Sequence, residues 1–134
     1  MQLVLWTDGG ARGNPGPAGI GVVITDAAGT LVAEIAEYIG EATNNQAEYR
    51  ALIAGLERAR ELGATRIDIR MDSELVVRQL QGEYKVKNEK MKPLYTEATH
   101  LLRGFEHYTI AHVRREQNAE ADKLVNQAID AAVF

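Results

Sequence analysis

The sequence predicts an α/β domain in which a mixed five-stranded sheet carries helices on both faces. Three short, mostly apolar segments come first, separated by turn residues, which indicates consecutive antiparallel strands. Helix-like and strand-like stretches then alternate, which is typical of strands joined through helices. The predicted element order is βββαβααβα, and the 134 residues suit a single domain over 1–134.

The first half of the chain supplies three strands and a long helix. Residues 1–7 are predicted as the first strand and not as a secretion signal, because no basic segment precedes the apolar residues. Strands at Ile20–Thr25 and Leu31–Tyr38 flank the turn sequence Asp26–Gly29, which predicts a hairpin. A helix is predicted over Asn44–Leu62, where a glycine follows.

The second half of the chain supplies two more strands and three helices. Residues Arg66–Met71 alternate strictly between polar and apolar types, which predicts a half-buried strand. Helices are predicted over Ser73–Gln81 and Lys90–Arg103, and a last strand over His107–Val113. A closing helix over Asn118–Ala132 carries its apolar residues on one stripe.

Composition narrows the class of protein. The absence of cysteine excludes a disulfide framework and thiolate metal sites. No apolar run is long enough to span a membrane, so a soluble, cytoplasmic protein without a membrane partner is expected. The net charge of -4 opposes nucleic-acid binding at first sight. Two divalent cations held by four acids would cancel that charge, so net charge does not decide the question.

Four acids stand where acids are unexpected. Asp8 and Asp72 follow predicted strands directly, and open α/β sheets bind ligands at the carboxyl ends of their strands. Glu48 and Asp122 lie beside the apolar stripes of helices, where an unpaired buried charge is costly. Each acid also has an ordinary structural explanation. Asp8 suits a turn and Asp72 an N-cap. Glu48 suits a capping box with Asn45, and Asp122 a favourable helix dipole.

Taken together, the four acids predict a metal site. Converging carboxylates repel one another unless cations bind between them. Oxygen ligands without cysteine favour Mg²⁺ or Mn²⁺. Two such ions can activate a water molecule and stabilise the leaving oxygen of a phosphodiester. The cluster therefore predicts a metal-dependent nuclease.

Four segments that contain these acids resemble the signatures of the type 1 ribonuclease H family. They are Thr7–Gly19, Thr43–Glu48, Asp72-Ser73 and Asn118-x-x-x-Asp122, and they occur in order over nearly the whole chain. The resemblance implies the ribonuclease H-like fold and hydrolysis of the RNA strand of an RNA–DNA hybrid, leaving a 5′-phosphate and a 3′-hydroxyl. It also implies that the four acids hold two Mg²⁺ ions, with Mn²⁺ as a substitute.

The resemblance further implies which residues contact the hybrid, the expected partner. Asparagine and glutamine can donate and accept hydrogen bonds at base edges and at the 2′-hydroxyls that distinguish RNA from DNA. Thr43 resembles a family residue that contacts a phosphate of the DNA strand. A helix cap is the alternative for Thr43 and for the two asparagines after it. The residues implied to bind the hybrid are Gly10, Asn14, Thr43, Asn44, Asn45 and Gln46.

The sequence departs from the family near the last acid. Many members have a mobile histidine there, whereas His112 is predicted to lie in a strand. Arg115, in the predicted loop Arg114–Gln117, is the alternative cation near the scissile phosphate. Its own alternatives are a solvated charge or an ion pair with Glu116. Elsewhere, His100 is expected on a helix surface and Trp6 in the core.

The sequence also lacks the basic helical extension of many members, so a compact form of the family is expected. The corresponding residues 81–92 are too few for that extension but contain four lysines. Lys85 and Lys87, with Lys90 and Lys92, form either a reduced basic patch that contacts phosphates or a solvated loop. A monomer is expected.

Two alternatives keep this fold but change the function. One is a catalytically silent module that binds hybrids, which the presence of all four acids opposes. The other is a DNA-cutting enzyme of the integrase or resolvase kind, which the Thr43–Asn45 segment opposes.

Overall fold

A computed structural model describes residues 1–133 as a five-stranded sheet with four α-helices and one short 3₁₀ helix. The strands are β1 (Gln2–Ala11), β2 (Gly16–Asp26), β3 (Leu31–Ala42), β4 (Arg66–Met71) and β5 (His107–His112). The helices are α1 (Asn44–Glu61), α2 (Glu74–Leu80), α3 (Lys92–Leu102) and α4 (Ala119–Ala132), and the 3₁₀ helix spans Arg115–Asn118. The predicted order βββαβααβα is confirmed.

The sheet is mixed, as predicted, with β1 at its centre. The strands lie in the order β3-β2-β1-β4-β5. β1, β2 and β3 pair antiparallel, whereas β4 runs parallel to both β1 and β5. The last parallel pair between β1 and β4 is Thr7 with Met71. The next residues, Asp8 and Asp72, therefore lie at the same end of the sheet.

Helices cover both faces of the sheet, but unequally. α1, α2 and α3 share one apolar core with the sheet, and Leu5, Leu52 and Ile69 are fully buried in it. α4 packs against β2 and β3 on the other face, where Val125 and Ile129 are buried. Each such side chain stabilises the fold by about 1.5–3 kcal/mol. This packing fixes the helices that carry Glu48 and Asp122.

The glycine-rich segment between the first two strands is more regular than predicted. The first predicted strand ends at residue 7 and the second begins at Ile20, but β1 continues to Ala11 and β2 begins at Gly16. Asp8 therefore lies inside β1 instead of following it. Alternation did not reveal these extensions because glycine has no side chain to mark an inner and an outer face.

The glycines of β1 and β2 let helices approach both faces of the sheet. A Cβ on Gly9 would overlap the backbone of Ala47 in α1, and one on Gly21 would overlap the backbone of Ala121 in α4. Adjacent strand residues point to opposite faces. Gly9 therefore allows the close approach of α1 on one face, and Gly10 faces the Val125 side chain of α4 on the other.

Several predicted boundaries shift by a few residues. α2 and α4 begin one residue later than predicted, because Ser73 and Asn118 are their N-cap residues. The predicted loop Arg114–Gln117 is wrong for residues 115–117, which belong to the 3₁₀ helix. Trp6, expected in the core, is half-buried, and the guanidinium carbon of Arg70 lies 4.8 Å from its ring centroid.

The remaining differences are small. β3 extends past the predicted end at Tyr38 to Ala42, and α3 begins at Lys92 with Pro93 in its first turn. His100 is exposed on α3, as predicted. No helix within residues 1–133 combines the length and the apolar character needed to cross a membrane.

Candidate active site

Four carboxylates meet at the end of the sheet where β1 and β4 lie side by side. β1 contains Asp8, Asp72 follows β4, and Glu48 and Asp122 come from α1 and α4. All four line one cleft with a volume of about 430 Å³. The structure thus brings together the four acids that the sequence singled out.

Three of these acids are close enough to share one metal ion. Carboxylate oxygens of Asp8, Glu48 and Asp72 lie within 4.8 Å of one another. Asp122 stands outside this group, but it lines the same cleft and its negative charge acts on Asp8. Hard carboxylate oxygens are the donors that Mg²⁺ and Mn²⁺ prefer. The residues present therefore fit the implied ions.

Burial and mutual repulsion change the acidity of the two deepest carboxylates. Asp8 and Glu48 are each 7% exposed. Burial raises the pKa of Asp8 above its usual range, and the charges of Glu48, Asp72 and Asp122 raise it further. Burial also raises the pKa of Glu48, although a hydrogen bond from Gly9 N–H partly offsets this effect. A divalent cation acts in the opposite direction because it favours the ionised carboxylates.

Glu48 is fixed by β1 and not by the start of its own helix. Its Oε1 accepts a hydrogen bond from Gly9 N–H. The alternative capping box between Asn45 and Glu48 does not form, because Thr43 and Gln46 form the capping box of α1. The Glu48 carboxylate therefore lines the cleft instead of capping a helix.

Ser73 and Asn118 fix the starts of α2 and α4, the helix that follows Asp72 and the helix that carries Asp122. Ser73, and not Asp72, caps α2, so the N-cap alternative for Asp72 does not hold. Asn118 is 1% exposed, and its Nδ2 donates a 2.9 Å hydrogen bond to the carbonyl oxygen of Thr7. This bond ties the start of α4 to β1 beside Asp8. Asp122 lies in the first turn of α4, as the dipole alternative expected.

Arg115 stands at the mouth of the cleft. Its Nη2 lies 4.0 Å from Asp122 Oδ1, and its side chain is 79% exposed. Within residues 1–133 it forms no ion pair with Glu116, which was one alternative for it. His112 lies on β5, as predicted, and lines a separate groove with Glu74. Of the two predicted candidates, Arg115 alone reaches the carboxylates.

Comparison with known proteins agrees with this geometry. A family model described as reverse transcriptase-like matches residues 6–128. Ribonuclease HI of Halobacterium salinarum is 47% identical over 125 residues, which are 93% of this chain and 63% of that protein. A solved structure of LC11-RNase H1 in complex with an RNA/DNA hybrid is 50% identical, with a TM-score of 0.94 over 98% of this chain and 99% of that one. The chain belongs to the type 1 ribonuclease H family.

Some relatives of this ribonuclease H chain are much longer. Bifunctional protein Rv2228c of Mycobacterium tuberculosis is 50% identical over 133 residues, which are 98% of this chain but 36% of that protein. The chain thus spans about a third of the mycobacterial relative and 63% of the haloarchaeal one. The predicted family and fold are confirmed. The compact form is confirmed too, because residues 81–91 between α2 and α3 form no helix.

The segment that family resemblance assigns to the hybrid joins the β1–β2 turn to the start of α1. Asn44 N–H donates to Asn14 Oδ1 at 3.0 Å, and Ala11 N–H donates to Asn44 Oδ1 at 2.9 Å. Both side-chain oxygens are therefore engaged, which leaves the amide N–H groups to face a ligand. The Thr43 hydroxyl accepts from Gln46 N–H at 3.2 Å, so its own proton can still be donated.

A second cavity, of about 250 Å³, adjoins the carboxylate cleft, and Asn45 lines both. Asn14, Thr43 and Gln46 line this second cavity, whereas Gly10 lines the cleft. The polar lining of the second cavity is completed by three residues that the sequence analysis did not predict to lie there, namely Gln79, Asn88 and Lys90. Lys85 and Lys87 are exposed and line neither cavity.

Arg12 and Ser73 also line the cleft, and sequence reasoning gave neither of them a role. Arg12 extends from the end of β1 to α4, where its Nη1 lies 2.6 Å from Asp130 Oδ1. Local spacing did not signal this contact, because Asp130 lies far from Arg12 along the chain. Ser73 was visible as part of the Asp72-Ser73 signature.

Proposed function

We propose that this ribonuclease H chain is an endonuclease that hydrolyses the RNA strand of RNA–DNA hybrids. The carboxylate cluster of Asp8, Glu48 and Asp72, in a chain of this family, is the observation that carries the proposal. The hybrid complex of LC11-RNase H1, which is 50% identical, supports the substrate. The products are a 5′-phosphate and a 3′-hydroxyl.

The four carboxylates are the residues that would hold two divalent ions, Mg²⁺ or in its place Mn²⁺. When bound, such ions supply charge stabilisation to the attacking water and to the leaving oxygen of the phosphodiester. Asp8, Glu48 and Asp72 present their oxygens to a common point, and Asp122 completes the donor set beside Asp8. Burial of Asp8 and Glu48 excludes water from their oxygens, which strengthens their attraction for cations.

Neighbouring residues position the hybrid over the carboxylates. The amide N–H groups of Asn14 and Asn44 remain free of partners within residues 1–133 and can donate to 2′-hydroxyls and base edges. Arg115 is exposed and close to Asp122, so its guanidinium can contact the scissile phosphate through charge-assisted hydrogen bonds. A monomeric state and a cytoplasmic location are also proposed.

Cleavage of one sequence, prepared as hybrid, duplex RNA and duplex DNA, tests this proposal. We expect the RNA strand of the hybrid to be cut when Mg²⁺ or Mn²⁺ is present and to stay intact with a chelator. Duplex DNA should remain intact. Equal cutting of duplex DNA would contradict the substrate assignment, and hybrid binding without cleavage would indicate a silent binding module.

A further inference from the structure

The carboxylate cleft is lined by two cations, and the proposed function uses one of them. Arg12 and Arg115 are the positively charged residues of its lining. Arg115 lies beside Asp122 in the first turn of α4, whereas Arg12 contacts α4 farther along, at Asn126 and Asp130. A nucleic-acid strand that enters a cleft with four acids needs cations to offset the repulsion of its phosphates. Arg12 is thus a positive charge in the cleft without a role in the proposed chemistry.

Hydrogen bonds along α4 give the position of the Arg12 guanidinium relative to the carboxylates. Its Nη2 donates to Asn126 Oδ1 at 3.3 Å, and Asn126 Nδ2 donates to the carbonyl oxygen of Asp122 at 3.1 Å. Asn126 follows Asp122 by four residues, which rise about 6 Å along an α-helix. The guanidinium therefore lies about one helical turn beyond Asp122. A phosphate next to the scissile one can reach it while the scissile phosphate lies at the carboxylates.

The contact that restrains Arg12 is weak enough to be exchanged for a ligand. Arg12 Nη1 lies 2.6 Å from Asp130 Oδ1, and the two side chains are 44% and 67% exposed. An exposed ion pair stabilises a fold little, because water and salt screen both charges. A phosphate offers a guanidinium two oxygens that match its forked donors, which gives a stronger and more directional contact. Exchange of Asp130 for a phosphate is therefore favourable once a nucleic-acid strand occupies the cleft.

We propose that Arg12 binds the RNA-strand phosphate next to the scissile one, and that Asp130 holds the guanidinium at the cleft until the hybrid displaces it. This inference rests on the proposed function, because the RNA strand must cross the carboxylate cleft to be cut. Arg115 and Arg12 then contact neighbouring phosphates of one strand at successive turns of α4. Arg115 acts at the reacting phosphate, whereas Arg12 contributes to binding.

Opposite effects of Arg12 and Asp130 substitutions distinguish phosphate binding from a purely structural ion pair. Arg12→Met should raise KM for the hybrid by about tenfold, the loss expected for one hydrogen bond to a charged group, and leave kcat nearly unchanged. Asp130→Asn should lower KM by about two- to threefold, because the competing carboxylate is worth no more than an exposed ion pair. A pair that only tied β1 to α4 would make both substitutions change KM in the same direction.

Two further variants provide the controls. Arg60→Met removes an exposed arginine of α1 that does not line the cleft, so it should leave KM unchanged. Arg12→Lys keeps the charge without the forked donors and should recover part of the affinity, which tests the role of Arg12 even if Arg12→Met does not fold. For hybrid binding in a chelating buffer, Arg12→Met should reduce the slope of log K against log salt by about 0.8, and Arg60→Met should not.

Hybrids that carry one uncharged methylphosphonate at a time in the RNA strand locate the phosphate. At one of the two linkages next to the scissile bond, the modification should raise KM for the unaltered protein by about tenfold. In Arg12→Met the same modification should add little, because both changes remove one contact. Arg60→Met should keep the full response.

The outcomes separate this inference from the proposed function. Losses that multiply to about a hundredfold at both flanking linkages would overturn the role of Arg12. Equal rises in KM for Arg12→Met and Asp130→Asn, or an unchanged KM and salt slope in Arg12→Met, would do the same. If the unaltered protein fails to cut unmodified hybrid at all, the proposed function fails instead.

Discussion

Asp8 is the residue on which the site depends most. It is buried, its carboxylate oxygens lie within 4.8 Å of those of Glu48 and Asp72, and the charge of Asp122 acts on it as well. The sequence predicted the four acids because each one violates a local pattern. The sequence could not exclude the alternative in which Glu48 forms a capping box with Asn45. The Glu48 carboxylate accepts a hydrogen bond from the backbone N–H of Gly9, 39 residues away. Local spacing in the sequence could not reveal that contact.

Replacing Asp8 should abolish turnover without unfolding the protein. Asp8→Asn keeps the volume but removes the charge on which cation binding depends, so we expect kcat to fall by about 1,000-fold. Glu120→Gln, an exposed acid on α4, is the control and should keep full activity. Cleavage rates at saturating hybrid and Mg²⁺ measure the effect. Activity of Asp8→Asn near that of the control would mean that the cluster is misassigned.

Removing the Arg115 side chain should slow the chemical step. Its guanidinium is proposed to contact the scissile phosphate, so Arg115→Ala should lower kcat by about 10- to 100-fold. KM should change less than kcat. Arg114→Ala, which alters an exposed neighbour that does not line the cleft, serves as the control. An unchanged rate for Arg115→Ala at saturating hybrid would show that Arg115 is only a solvated charge.

At the scale of elements, helices and strands could be predicted accurately where their apolar residues recur with a clear period. The alternation of β4 and the apolar stripe of α1 gave boundaries within a residue of those observed. The ends of β1 and β2 were missed because glycines there pack against helices distant in sequence. The bond to Gln79 was missed for a related reason. Gln79 is buried on α2 beside Val76 and Val77, but the Tyr49 hydroxyl that donates to it belongs to another helix.

Gly9 and Gly10 should respond very differently to the same small substitution. A Cβ at Gly9 overlaps the backbone of α1, so Gly9→Ala should lower the free energy of unfolding by about 3 kcal/mol. At Gly10 the nearest atom to a new Cβ is Val125 Cγ1 at 3.4 Å, an ordinary contact. Gly10→Ala should therefore cost less than about 1 kcal/mol. Urea titration measures both, and equal losses would contradict the close approach of α1.

At the scale of the whole molecule, charge is distributed between two neighbouring cavities. The cleft is lined by four acidic side chains, whereas the second cavity is lined by one lysine and by no acidic side chain. The net charge of -4 hides this separation. Composition therefore could not predict the partner, while the order of the four signatures along the chain did.

Without metal, the protein should lose stability as the pH rises. The pKa of Asp8 is raised in the folded protein above its usual value of 3.8, so the folded state keeps a proton that the unfolded state has lost. The free energy of unfolding therefore falls as the pH increases above about 4. We expect the metal-free Tm to decrease between about pH 5 and pH 8. Saturating Mg²⁺ should reverse the decrease, since cations favour the ionised form.

Asp8→Asn isolates this effect. It should flatten the dependence of Tm on pH in a chelating buffer and raise the Tm at high pH. Glu120→Gln should leave the dependence as it is in the unaltered protein. A slope that survives in Asp8→Asn would assign the effect to other groups.

Lys85 and Lys87 test whether the reduced basic patch binds the hybrid. Both are exposed and line neither cavity, so any contact that they make with the hybrid would be with phosphates outside the two cavities. Replacing both with Gln should weaken binding and reduce the slope of log K against log salt by about 1.5. Arg60→Gln with Arg103→Gln, two exposed cations on other elements, is the control. An unchanged slope would remove the lysines from the interface.

The bond from Asn118 to Thr7 joins residues 111 positions apart. It means that the cluster of four acids is not complete until α4 has docked onto β1. Contacts of such long range form slowly, because the chain must first close a large loop. A growing or truncated chain that stops before α4 has three of the acids and lacks the fourth. The cluster of four acids therefore assembles only after α4 has been synthesised and has docked onto the sheet.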